Sequence, residues 1–135
     1  TRTLGLLLGA CLLTTQLGAC TATTGGSAPA TTPPSGFFTA GQASRGERRF
    51  NQLCADCHRT VEITRSWFSG AVHSTAGDLF TVMSMTMPDS NPGGLSLDQY
   101  ADILAFLLRL NNYPAGEEEL PADPAMLANV PIPAP

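Results

Sequence analysis

Hydrophobic and polar positions follow three different regimes along the chain. Residues Leu4 to Leu17 are uncharged, and the apolar run Leu4–Leu13 is about ten residues long. That matches the hydrophobic stretch of a secretory leader and falls short of the ~20 residues needed to span a bilayer. From Thr21 to Ser35 the chain holds only Thr, Ala, Gly, Ser and Pro. Such a segment cannot bury a core, and it predicts a flexible tether with a reach of roughly 20 Å. Large side chains enter abruptly at Phe37-Phe38, and helical periodicity begins there.

Three helices follow from the pattern. Thr39-x-x-Gln42 and Ser44-x-x-Glu47 are both capping-box candidates, so the first helix starts near Ala40 or Arg45. A short helix over Asp78–Met83 is capped at Ser74 or Thr75. The third is the clearest: Ser96-x-x-Gln99 follows the turn Pro92-Gly93-Gly94, and Tyr100, Ile103, Leu104, Leu107 and Leu110 recur at helical spacing, flanked by Phe106. Asp98 and Asp102 near its start and Arg109 in its last turn suit the helix dipole, and Asn111-Asn112 with Pro114 stop it. Beyond lies a Pro-rich stretch with the acidic run Glu117-Glu118-Glu119. It reads as an extended tail able to lie over the domain through Leu120, Met126 and Val130. The expected organisation is a leader over 1–19, a tether over 20–36, an all-α domain over 37–113 and a tail over 114–135. With so few residues left to fold, a core of this size is marginal unless something staples it.

Charge narrows the partners. The formal net charge is −4 with a sequence pI near 4.9, and all seven basic residues are Arg; a nucleic-acid binder would need a basic face. The four cysteines fall into two pairs with different surroundings. Leu17-Gly18-Ala19-Cys20 resembles a bacterial lipobox, which implies removal of residues 1–19 and a lipid on Cys20 that holds the chain to a membrane. The same tetrapeptide ends at Cys11, but cleavage there leaves almost no hydrophobic stretch. The alternative is an ordinary secretory leader cut nearby, giving a soluble periplasmic protein.

The second pair carries the chemistry. Cys54-Ala55-Asp56-Cys57-His58 is C-x-x-C-H, the attachment signature of c-type haem. Two thiols three residues apart at a helix end can both form thioethers to one porphyrin, with the adjacent His left to bind the iron. A zinc site would need further ligands, of which only His73 is available. A thioredoxin-like pair would need a βαβ setting, and a structural disulfide leaves His58 unexplained.

On these residues the chain resembles a small class I cytochrome c. Gly46, Phe50 and Cys54 stand at that family's spacing of four, and the resemblance implies that Gly46 lets the N- and C-terminal helices cross closely beside the aromatic. It also implies a cytochrome c fold around one covalent haem, with Cys54 and Cys57 as its thioether anchors and His58 as the proximal iron ligand. The distal ligand is sought in Val82-Met83-Ser84-Met85-Thr86-Met87-Pro88. Met87 leads, because Pro88 pushes its predecessor out of the α region and because Met-Pro matches the family; Met85 follows, then Met83 and His73. Trp67 and Arg65 are candidate neighbours of the haem propionates, with Trp67 as plain core the alternative. The segment Val61–Thr75 departs from many relatives in lacking a proline whose carbonyl would accept the imidazole N–H.

The stretches Gly77-Asp78-Leu79-Phe80, Pro92-Gly93-Gly94-Leu95-Ser96 and Asn111-Asn112-Tyr113-Pro114-Ala115-Gly116 are similar to those of monohaem cytochromes associated with quinoprotein (PQQ) dehydrogenases. This resemblance, over about residues 37 to 120, implies a one-electron carrier and not an enzyme. It would take electrons from a dehydrogenase, pass them to an oxidase or another cytochrome of the respiratory chain, and be tethered on the periplasmic side of a bacterial membrane. Two alternatives are a subunit held permanently in a dehydrogenase complex and a five-coordinate haem sensor or peroxidase.

Overall fold

The computed structural model describes residues 36–68 and 73–132, the side chains of Arg65 and Ser66 excepted. The leader, Cys20 and the tether therefore lie outside the described residues. Among the described residues there are five helices, α1 (Ala40–Leu53), α2 (Thr60–Ser66), α3 (Ala76–Thr86), α4 (Leu97–Leu110) and α5 (Pro124–Leu127). Among the described residues the only extended pairings are two isolated bridges, Thr39 with Gly116 and Thr75 with Pro131. The architecture is all-α.

The start of each long helix has a local cause. Thr39 caps α1 by accepting from the Gln42 backbone N–H, while Thr75 with Asp78 and Ser96 with Gln99 form reciprocal capping boxes on α3 and α4. α3 runs to Thr86, three residues past the expected end, and Met87 caps it in an extended conformation, as the following Pro88 demands. α2 has no counterpart in the sequence reading. Its Thr-Val-Glu-Ile-Thr run is rich in β-branched residues with low helix propensity, and burial of Ile63 holds it in place.

α4 is the centre of the molecule. Every residue from Tyr100 to Leu108 is buried, not just one face, because α1, α2 and α3 all pack on it. At the α1–α4 crossing a Cβ on Gly46 would lie 1.8 Å from the Asp102 carbonyl oxygen, so no larger residue fits without backbone movement. Phe50 and Phe106 flank the crossing with ring centroids 5.3 Å apart. Asp102, read from the sequence only as a helix-dipole partner, is buried. It accepts two hydrogen bonds from Arg45, at 3.2 and 3.0 Å, and Arg49 Nε lies 3.3 Å from the same carboxylate. A charge taken out of water in this way must be paired, and α1 supplies both partners.

The tail expected to lie over the domain through Leu120, Met126 and Val130 does pack on it, through Leu120 and Val130 but not Met126. Packing continues past Tyr113 to Ile132, with Leu120, Leu127, Val130 and Ile132 buried; Met126 stays exposed, and Leu127 packs instead. Gln42, itself buried, does not close a capping box with Thr39. Its side chain donates to the Leu120 carbonyl (3.1 Å) and accepts from the Leu120 N–H (2.7 Å), while Arg45 pairs with Glu119 at 2.8 Å. Further along, Asp123 caps α5 and Pro124 occupies its first turn, where a missing N–H costs nothing. The chain then returns to α3: the Ala76 N–H donates to the Val130 carbonyl and the Ile132 N–H to the Ser74 carbonyl, both at 2.9 Å. The prolines thus punctuate a packed strap and do not mark a loose end.

Candidate functional site

One cavity of about 450 Å³ opens beside the α1–α4 crossing, a volume within the range of small-molecule and cofactor sites. Its lining comes from two parts of the chain. The end of α1 and the following turn contribute Leu53, Cys54, Cys57 and His58, and α2 ends on Trp67. The end of α3 and its loop contribute Met83, Met87 and Pro88 to Ser90, while Leu95, Tyr100 and Ile103 come from the α4 side.

The first part is organised by a single carbonyl. As α1 ends, the Cys54 N–H still donates to the Phe50 carbonyl at 2.8 Å. The Cys54 carbonyl then accepts from both the Cys57 N–H (3.1 Å) and the His58 N–H (2.9 Å). This tight turn lets two thiols and an imidazole from five consecutive residues line one cavity. The thiols are unbridged, Cys54 half-buried and Cys57 exposed. Burial pushes the Cys54 thiol pKa up, the opposite of the lowered value that marks a reactive redox cysteine. The Trp67 ring meets the His58 ring edge-on, with centroids 5.0 Å apart at 76°. Trp67 is therefore a packing neighbour of the imidazole.

The second part contains the methionines. Met83, on α3, and Met87, the extended residue that caps it, both line the cavity. Met85 is 70% exposed and contributes nothing to the lining, so the order of the rivals changes: Met83, not Met85, is the alternative to Met87. His73 is half-buried and outside the lining. The Arg65 side chain lies outside the described residues.

Chemically, the donors are two thiols, one imidazole and two thioethers in a mainly apolar enclosure whose carboxylate is Asp89. Among the described residues no three His, Cys, Asp or Glu side chains converge as a metal cage would. On one apolar cavity, thiols can form covalent bonds to a bound group, and imidazole and thioether can each donate a lone pair to a metal that such a group carries. The sequence missed several lining residues, among them Leu53, Asp89, Ser90 and Ile103, as well as Tyr100 and Leu95, which it showed only as part of a helix face and a turn. Comparison with family models, with curated proteins and with solved structures finds no match.

Proposed function

We propose that this protein is a monohaem c-type cytochrome that carries single electrons on the periplasmic side of a bacterial membrane, tethered by a lipid on Cys20. The observation that carries the reading is convergence. Cys54, Cys57 and His58 line the same apolar cavity as Met87, which lies 29 residues beyond His58 and on another helix. Gly46 at the α1–α4 crossing, with Phe50 beside it, supports a cytochrome c fold for the all-α domain.

When bound, the haem supplies a reversible Fe(III)/Fe(II) couple. The chain's own residues do the rest. Cys54 and Cys57 would hold the group covalently, and His58 and Met87 would bind its iron, where a thioether would raise the potential relative to a second imidazole. Trp67 packed against His58 limits rotation of the imidazole. Phe50 and Ile103, both buried in the lining, would keep water from the group and lower the dielectric around it, which would tune its potential. Among the described residues the lining brings in no second His and no Arg, the side chains that peroxide cleavage would use as acid and base, and electron transfer is the reading we favour over a peroxidase. The tether and the acidic surface suit exchange between a dehydrogenase, quinoprotein-linked by the sequence resemblance, and a respiratory acceptor.

The test is a potentiometric titration of the protein matured in a host that attaches haem c. The expected result is one reversible one-electron transition from a haem that stays on the chain after denaturation. A mature chain whose mass carries no haem would contradict the proposal.

A further inference from the structure

We propose that Tyr100 is a positioning residue for Met87, holding the loop that presents the thioether to the cavity; the inference rests on Met87 serving as an iron ligand. Met87 sits where α3 ends. Its N–H is used by the Met83 carbonyl at 3.0 Å, while its carbonyl accepts from the Gly93 N–H at 3.2 Å and from the Tyr100 hydroxyl. The same hydroxyl accepts from the Leu95 N–H at 3.4 Å. One oxygen on α4 therefore fastens both ends of the 87–95 loop.

Inside that loop the chain is turned by backbone bonds alone: Asn91 N–H to the Pro88 carbonyl (2.9 Å) and Gly94 N–H to the Asn91 carbonyl (3.0 Å). Gly93 adopts the left-handed region at φ 73°, which suits glycine. Asp89 to Gly94 are all exposed, so no core packing immobilises the segment. Tyr100 is different. It is 2% exposed, its ring meets Phe80 edge-on at 6.4 Å, and it belongs to the helix anchored at the Gly46 crossing. The hydroxyl is thus a fixed point to which an otherwise surface loop is tied. Removing a group that orients a metal ligand without touching the metal typically costs 10–100-fold in metal affinity or activity.

The experiment uses the haem-loaded protein and added imidazole as a probe competing for the Met87 position on the ferric iron, followed by absorption. Tyr100→Phe keeps the ring and deletes the tie. Its apparent imidazole affinity is expected to rise about ten-fold over the parent, with the far-UV circular dichroism unchanged. Tyr113→Phe, a tyrosine outside the lining, is expected to behave as the parent. In a Met87→Ala background, which already opens the position, Tyr100→Phe should add nothing. Parent-like affinity in Tyr100→Phe, or an undiminished effect in the Met87→Ala background, would overturn the role of Tyr100 alone. A parent that binds imidazole as tightly as Met87→Ala would overturn the Met87 assignment as well.

Discussion

The two parts of the cavity lining are held by opposite strategies. Cys54, Cys57 and His58 are neighbours in sequence, and one carbonyl, that of Cys54, organises them at the end of α1. Met87 depends on distant partners: a capped helix before it, a loop after it, and a hydroxyl on α4 across 13 residues of chain. A site built locally needs only a spacing. A site built by tertiary ties exists only when the whole domain is folded, and it is the side on which a labile axial bond should be found.

The largest effects should come from breaking the local side. Replacing Cys54 and Cys57 together by Ser should abolish covalent haem, leaving a haem-stained denaturing gel blank. Next comes the frame both sides share. Gly46→Val drives a side chain into the Asp102 carbonyl and should lower stability by about 3 kcal/mol, read as an earlier denaturant midpoint at unchanged slope. The tertiary side should respond more selectively. Met87→Ala should keep the haem but lower the potential by on the order of a hundred millivolts, within the roughly 0.8 V that axial ligation spans. Met85→Ala, at an exposed position, should leave it unchanged.

The smallest effect concerns the helix that delivers Met83 and Met87. Hydrogen bonds from Thr75 and Ser74 hold the Asp78 carboxyl below its ordinary pKa of 3.8. Its ionised form therefore stabilises the fold above that pH, and the contribution is lost as pH falls through the lowered value. Asp78→Asn should flatten the loss of stability on acidification below about pH 3.8 in acid-unfolding curves, and it should leave the C-x-x-C-H side untouched.

The same division decides how much could be read from the residues. C-x-x-C-H, the caps at Thr39, Thr75 and Ser96, and the Gly46–Phe50–Cys54 register are short-range patterns, so they were visible. Met87 was reachable through Pro88, a neighbour effect, but the ranking of Met85 above Met83 was not sound, because only the packed helix shows which methionines share the cavity's face. The burial of Asp102 and Gln42 was hidden for a related reason. Each looks like an ordinary cap or dipole partner until α1 and the strap at Glu119-Leu120 supply its partners. The strap was legible in part: Leu120 and Val130 stand out as apolar residues in a Pro-rich stretch and do pack on the domain, whereas the choice of Leu127 over Met126 depends on the surface that receives them.

The central claim, that His58 and Met87 together ligate one covalent haem, is tested most directly by the absorption spectrum of the oxidised protein. A low-spin ferric spectrum with the weak long-wavelength band of thioether–iron ligation, lost in Met87→Ala and kept in Met83→Ala and Met85→Ala, is the predicted result. A high-spin spectrum without that band, or a band that survives Met87→Ala, would contradict it.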